Sequence, residues 1–176
     1  PNSACNWRCI YCQVPGLARG GPPAIDLALL ENELERFLGW AIDGDFMVKH
    51  VPEGARRLVD LAFSGNGEPT SADEFDLAVE LVQRRLDAHG QAGQLPVRLI
   101  TNGSLLDRKH VQAGVARIGR GGGEVWFKVD AATSSGLARI NGSRIRPESV
   151  QRRLLRCAEL APTWIQTCLF SLDGRP

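Results

Sequence analysis

The change from strand to helix is clearest in Leu58-Val-Asp-Leu-Ala-Phe-Ser-Gly-Asn-Gly-Glu-Pro-Thr70. Its first six residues form a short, mainly apolar run, which predicts a buried strand. The glycine-rich segment 64–70 predicts a turn, and apolar residues then recur at helical spacing over 75–86. Ser71 and Glu74 predict a capping box at the start of this helix. The stretch therefore predicts one strand-turn-helix unit.

The same unit recurs toward the C-terminus. We expect strands over residues 97–102, 125–129 and 164–170, with one helix that ends at Gly119 and another that begins at Pro147. Strands that alternate with helices predict a parallel sheet with right-handed crossovers, either open or closed into a barrel. In both forms ligands bind at the carboxyl ends of the strands.

One helix is expected before the first strand. Asp26 is the expected N-cap of a helix whose apolar residues occur over 27–41. The segments 13–23 and 43–57 show no periodic pattern, so both are predicted to be loops.

Length and composition restrict the possible classes of protein. The chain has 176 residues and 43% hydrophobic residues, which predicts a single domain over residues 1–176. A net charge of +1 gives no overall field that would attract nucleic acid or an acidic membrane. No apolar run approaches a membrane span and no signal peptide is visible, so we expect a cytoplasmic protein. Because the chain opens on Pro1 rather than Met, we expect a fragment of a longer protein.

Three of the five cysteines lie within Cys5-Asn-Trp-Arg-Cys-Ile-Tyr-Cys12. A disulfide framework is disfavoured because the number of cysteines is odd and the chain is long. A closed zinc site or a ferredoxin cubane needs four protein ligands, so three local thiols indicate a metal centre with one open position. The alternative is a zinc site completed by one distant residue, namely Cys157, Cys168, His50, His89 or His110.

The spacing C-x3-C-x2-C, with Tyr11 before the last cysteine, resembles the signature of the radical S-adenosylmethionine (radical SAM) enzymes. The resemblance implies that Cys5, Cys9 and Cys12 hold a [4Fe-4S] cluster whose fourth iron chelates the methionine moiety of SAM. It also implies reductive cleavage of SAM to a 5'-deoxyadenosyl radical that abstracts hydrogen from a substrate, with Tyr11 near the adenine. The cofactors would supply this chemistry, and the protein would orient them.

The turn Gly65-Asn-Gly-Glu-Pro69 resembles the G-G-E motif of the same family, although Asn66 replaces its first glycine. By this resemblance Gly67 and Glu68 bind the ammonium group of SAM. Glycine allows the main chain to approach a ligand closely, and an acid complements a cation. The alternative is an ordinary strand-to-helix turn with an acidic residue in its first turn.

Two further strand ends carry polar residues that match the family. Thr101-Asn-Gly103 resembles the T-N-G ending of one family strand. Lys128 and Asp130 share one face of the next strand with Trp126, at positions that resemble the family's ribose-binding residues. The resemblance therefore places Thr101, Asn102, Lys128 and Asp130 on the ribose side of SAM. The alternative for the last two is a structural ion pair.

The resemblance covers the whole chain and implies its architecture and partners. We expect an α/β fold, a partial (β/α)6 TIM-like barrel of parallel strands that is truncated at both ends. The implied protein is a metal-binding oxidoreductase that uses SAM and a reducing partner such as flavodoxin or ferredoxin. Residues 63–70 look like the wyosine-type branch of Fe-S oxidoreductases, which makes tRNA-base modification one alternative. A non-catalytic, zinc-stabilised α/β binding module is the other.

Overall fold

The computed structural model describes residues 3–172 and 174. In this part of the chain, four parallel strands form one sheet in the order of the sequence. They are β1 (Leu61–Phe63), β2 (Val97–Thr101), β3 (Glu124–Lys128) and β4 (Thr163–Gln166). Each strand is joined to its neighbour by a helical connection. The predicted α/β architecture is therefore confirmed, and it is consistent with part of a TIM-like barrel.

Four of the α-helices among the described residues lie close to the predicted positions. Asp26 caps the first helix, because its Oδ1 accepts a hydrogen bond of 2.9 Å from the N–H of Leu29. Pro147 occupies the first turn of the last helix, as predicted. The helices are α1 (Leu27–Leu38), α2 (Phe46–His50), α3 (Phe75–Ala88), α4 (Lys109–Arg120), α5 (Ser134–Asn141) and α6 (Pro147–Leu160).

One face of the sheet forms the hydrophobic core with α3, α4 and α6. In β2, Val97 and Leu99 are buried against these helices, whereas Arg98 and Ile100 point to the other face. Burying each large apolar side chain contributes roughly 1.5–3 kcal/mol, so this face determines the register of the strands. The opposite face remains available for polar side chains.

The turn after β2 depends on one glycine. Gly103 has φ +66°, and a Cβ at this position would lie 2.0 Å from the ring of Phe127. Only glycine combines this backbone conformation with such a close approach to the ring. Asn102 therefore lies between the end of β2 at Thr101 and the turn at Gly103.

The segment 43–57 is more ordered than expected. A π-helical turn (Gly39–Asp43) extends α1, and it is followed by α2 and a short 3-10 turn (Glu53–Ala55). The ring of Phe46 lies 5.4 Å from that of Phe37 and 4.8 Å from that of Trp40. The loop prediction was wrong because these aromatic contacts fold a stretch that has no helical periodicity.

The predicted capping box at α3 does not form. The hydroxyl of Ser71 donates to the carbonyl of Glu68, and the carboxylate of Glu74 accepts from the N–H of Ile25. Ser71 thus bonds within its own turn and Glu74 bonds to a residue far along the chain, so neither side chain caps the helix. No described helix is long and apolar enough to cross a lipid bilayer.

The last strand is shorter than predicted. The chain leaves β4 after Gln166, and the N–H of Cys168 donates 3.1 Å to Oδ1 of Asp130. The hydroxyl of Thr167 bonds to the carbonyl of Val129 in the same region. These contacts draw the chain across the carboxyl end of β3.

Candidate active site

The cysteine loop, residues 5–12, lies across the carboxyl ends of the strands. On the β1 side, the N–H of Glu68 donates 3.1 Å to the carbonyl of Ala4, and the N–H of Cys5 donates 3.0 Å to the carbonyl of Ala18. Trp7 is 3% exposed and fixes the middle of the loop in the protein. The loop is therefore attached to the same turn that carries the G-x-G-E segment.

The end of β2 holds the loop through side chains. Asn102 Nδ2 donates 2.9 Å to Oδ1 of Asn6, and Asn6 Nδ2 donates 2.7 Å to the hydroxyl of Ser104. Asn102 Nδ2 also lies 4.0 Å from the sulfur of Cys5. This second attachment places the first cysteine beside the strand end.

The C-terminus of α5 makes the third attachment. The N–H of Arg8 donates 2.8 Å to the carbonyl of Asn141, and the N–H of Ile10 donates 2.8 Å to the carbonyl of Ile140. Gly142 ends α5 in the left-handed conformation, and a Cβ there would lie 3.0 Å from the Cβ of Arg8. The helix thus uses carbonyl groups that lack partners within the helix to bind the cysteine loop.

The three thiols of the loop are free and partly accessible. Cys5 and Cys9 are half-buried and Cys12 is exposed. The N–H of Trp7 donates to the sulfur of Cys5 at 3.4 Å. Burial raises the pKa of Cys5, and the neighbouring charges of Glu68, Cys9 and Cys12 add to that increase. Because the thiolate is the form that binds metal, a bound cation would offset this cost.

The donor set suits a large, thiolate-bound centre better than a single ion. Within residues 3–172 and 174, no group of three or more His, Cys, Asp or Glu side chains is placed to hold one metal ion. A [4Fe-4S] cubane binds each thiolate to a different iron, so its ligands stand farther apart than those of zinc. Three free thiols, with N–H groups 3.4 Å from the sulfur of Cys5 and 3.2 Å from that of Cys9, have the donor chemistry that a cubane uses. Among these residues there is no preformed group of ligands for the alternative, a single zinc ion.

Glu68 is the centre of a buried hydrogen-bond network. Its Oε1 accepts from the N–H of Thr70 at 3.1 Å and from the hydroxyls of Thr70 at 2.7 Å and Thr101 at 2.6 Å. Among the described residues, the N–H of Asn102 is the one donor to its Oε2, at 2.8 Å. Burial raises the pKa of Glu68, and these hydrogen bonds oppose the increase. The carboxylate therefore joins the ends of β1 and β2, and Oε2 keeps a lone pair for a further donor.

The turn before Glu68 lines a cleft of about 250 Å³, to which Gly65, Gly67 and Phe75 contribute. Thr101 is directed away from solvent, since its hydroxyl donates to Glu68 and accepts from the N–H of Gly103 at 3.0 Å. Thr101 thus acts on the site through Glu68.

Asp130 is a second centre of hydrogen bonding, with a side chain that is 0% exposed. Its Oδ2 accepts from the hydroxyl of Tyr11 at 2.5 Å and from Nδ2 of Asn141 at 2.6 Å. Lys128 Nζ lies 3.8 Å from Oδ1 of Asp130 and 4.7 Å from the centre of the Tyr11 ring. Burial and the bond to Asp130 raise the pKa of Tyr11. The predicted polar pair is therefore also the support for the aromatic residue of the cysteine loop.

The structure brings most of the expected site residues into a connected network, to which several unexpected residues also belong. We call six hydrogen-bonding residues at these strand ends the carboxyl-end cluster: Tyr11, Glu68, Thr101, Asn102, Asp130 and Asn141. Sequence reasoning missed Asn6, Thr70, Ser104 and Asn141. Only Asn141 had a usable signal, because Asn-Gly after a helical pattern is typical of a helix end.

A comparison with protein families decides the assignment. The model of the radical SAM superfamily matches residues 1–171. The chain belongs to the radical SAM superfamily. It is accordingly an enzyme, and the family's cofactors are a [4Fe-4S] cluster and SAM, which require a reductant. The parallel α/β sheet described above is that of a radical SAM domain. No curated protein matched the chain.

Proposed function

We propose that this radical SAM enzyme holds its cluster through Cys5, Cys9 and Cys12 and cleaves SAM reductively to act on a substrate. When bound, the cluster supplies an electron that breaks a C–S bond of SAM, and the 5'-deoxyadenosyl radical so formed abstracts hydrogen from the substrate. One observation carries the proposal: a loop with three free thiols is attached to β1, β2 and α5 at the carboxyl ends of the strands. Binding sites of parallel α/β folds lie at these ends.

Gly67 and Glu68 would bind the ammonium group of SAM. Oε2 of Glu68 accepts one hydrogen bond, so it can accept another from an ammonium group. Thr101 and Asn102 hold this carboxylate in place. A cation beside Glu68 would also offset the cost of keeping its charge buried.

Lys128 and Asp130 would lie on the ribose side of SAM, together with Asn102. Asp130 holds the hydroxyl of Tyr11, which keeps that ring beside the third strand end for contact with the adenine. The other neighbours of the ring are Phe170, with ring centres 5.4 Å apart, and Lys128. The chain's own residues thus orient SAM, while the external electron donor would be a flavodoxin or ferredoxin.

Anaerobic reconstitution with iron and sulfide tests the assignment. We expect a reduced cluster whose EPR signal changes when SAM is added and which is absent from Cys9→Ala. Cys157→Ala is the matched control, because Cys157 is buried in α6 beside Thr163 and away from the loop. Equal iron contents in these two variants would contradict the proposal. Formation of 5'-deoxyadenosine by the wild type with a reductant tests the cleavage step.

The structure offers no added support for tRNA as the substrate. Arg152 and Arg153 on α6 share the carboxylate of Asp107, and Arg156 is paired with Glu159, so two carboxylates offset most of the charge of these three cations. Tight binding of tRNA that weakens steeply with salt would still favour that substrate.

A further inference from the structure

Asn141 is a buried amide that contacts a cluster ligand. Its side chain is 0% exposed, and Nδ2 lies 3.2 Å from the sulfur of Cys9 and 2.6 Å from Oδ2 of Asp130. Both hydrogens of the amide are therefore directed at groups that carry or can carry negative charge. Oδ1 is buried and has no hydrogen-bond partner among the residues that the structure describes.

The orientation of this amide follows from its neighbours. Rotating it by half a turn would place Oδ1 against the carboxylate of Asp130 and the sulfur of Cys9, both of which are acceptors. The main chain is also fixed, because the carbonyl of Asn141 accepts from Arg8 and Gly142 ends the helix. A buried carbonyl without a partner lowers the stability of the folded protein. The presence of asparagine at position 141 is therefore explained better by its two N–H donors than by a contribution to folding stability.

We infer that Asn141 is a positioning residue that sets the reduction potential of the cluster through its hydrogen bond to Cys9. This inference rests on the proposed function, because it requires Cys9 to be a ligand. Hydrogen bonds to cluster sulfurs stabilise the reduced state, which carries more negative charge, and so raise the potential. The second N–H connects the same amide to Asp130 and, through it, to Tyr11. One side chain thus couples the cluster ligand to the predicted SAM-binding side.

Redox titration of the reconstituted protein without SAM tests the inference. Asn141→Leu has a similar size but no donors, and we expect its reduction equilibrium to shift about tenfold toward the oxidised state. This corresponds to a midpoint about 59 mV lower for a one-electron couple. Ser143→Ala is the matched control, since Ser143 lies two residues along the chain and its hydroxyl accepts from the N–H of Ile145, a contact remote from the cysteine sulfurs. Its midpoint should equal that of the wild type.

A second measurement is pulsed EPR of the reduced cluster. Protein labelled with ¹⁵N in asparagine should show hyperfine coupling of a nitrogen to the reduced cluster in pulsed EPR, and Asn141→Ser should abolish that coupling. An unchanged midpoint in Asn141→Leu at equal iron content would overturn the inference, and so would absence of the nitrogen coupling in the wild type. If the wild type itself takes up no cluster, the proposed function fails and the inference fails with it. If the wild type is loaded but shows neither effect, only the inference fails.

Discussion

The sheet face opposite the core carries a second polar network, which differs from the one at the site. Near the amino ends of the strands, Arg98 donates to Asp60 and, at 2.6 Å, to Glu124. The indoles of Trp126 and Trp164 donate to the same Glu124 at 3.0 and 2.8 Å. We call this set the amino-end cluster: Asp60, Arg98, Glu124, Trp126 and Trp164.

The pKa values of Glu124 and Glu68, one carboxyl group from each cluster, are shifted in opposite directions. The indole N–H of Trp126, with Trp164 and Arg98, holds the pKa of Glu124 below its usual range. At the other end, burial raises the pKa of Glu68, and its four hydrogen bonds, all from neutral donors, oppose the increase. No cation is paired with Glu68 among the residues that the structure describes. The amino-end cluster pairs one cation with two carboxylates, as in networks that stabilise a fold. In the carboxyl-end cluster a cationic ligand beside Glu68 would offset the effect of burial, and carboxyl groups with a perturbed pKa are frequent at functional sites.

The largest expected effect is that of Glu68→Ala. This variant leaves two N–H groups and two hydroxyls without their buried acceptor, so the free energy of unfolding should fall by roughly 3 kcal/mol. We also expect reduced iron uptake, since Asn102 loses one of the contacts that hold it against the cysteine loop. Denaturant titration and iron analysis measure the two effects. Glu74→Ala is the control, because Glu74 accepts one bond from Ile25 and should cost less than about 1 kcal/mol.

Arg98→Met should have a smaller effect, limited to stability. Asp60 and Glu124 lose their cation, but both remain partly exposed to solvent, so we expect a loss of roughly 1 kcal/mol. Iron content and the EPR signal should match those of the wild type. Loss of the cluster in this variant would remove the distinction between the two ends of the sheet.

The pH dependence of stability should have opposite signs at the two ends. Glu124 has a lowered pKa, so its stabilisation is present above its unfolded value of 4.5 and is lost as the pH falls through the folded pKa. Glu68 has a raised pKa, so its contribution is present below 4.5 and is lost as the pH rises through the folded pKa. We expect the wild-type advantage over Glu124→Gln to shrink toward pH 3. The wild-type advantage over Glu68→Gln should instead shrink as the pH rises from 4 toward neutrality. Slopes of the same sign would contradict the contrast.

The smallest effect is spectroscopic. The chain has one tyrosine, so tyrosinate absorbance reports Tyr11 alone. Burial and Asp130 raise the pKa of Tyr11, and we expect no tyrosinate in the folded protein at pH 10, the usual midpoint. Asp130→Asn should move the titration back toward that value. A midpoint near 10 in the wild type would show that the ring is not held as described.

The order of elements was largely readable from local patterns. The strand-turn-helix units, the Asp26 cap and Pro147 at the start of α6 were predicted because each depends on neighbouring residues. The segment 43–57 and the capping box at Ser71 were wrong, since aromatic packing and contacts to Glu68 and Ile25 decide them. The contact from Ile25 to Glu74 joins residues far apart in the chain, whereas the aromatic contacts and the bond from Ser71 to Glu68 are local but follow no helical or strand period.

The sequence by itself determined the family and the parallel fold, and it singled out the three thiols as predicted cluster ligands, because spacing and apolar periodicity are local properties. Only the tertiary structure decided how Glu68 and Asp130 are used and that Asn141 belongs to the site. A buried carboxylate or amide acquires its role from the donors and acceptors that folding places within about 3 Å. Those partners come from other strand ends and from α5, at separations along the chain that no motif spans.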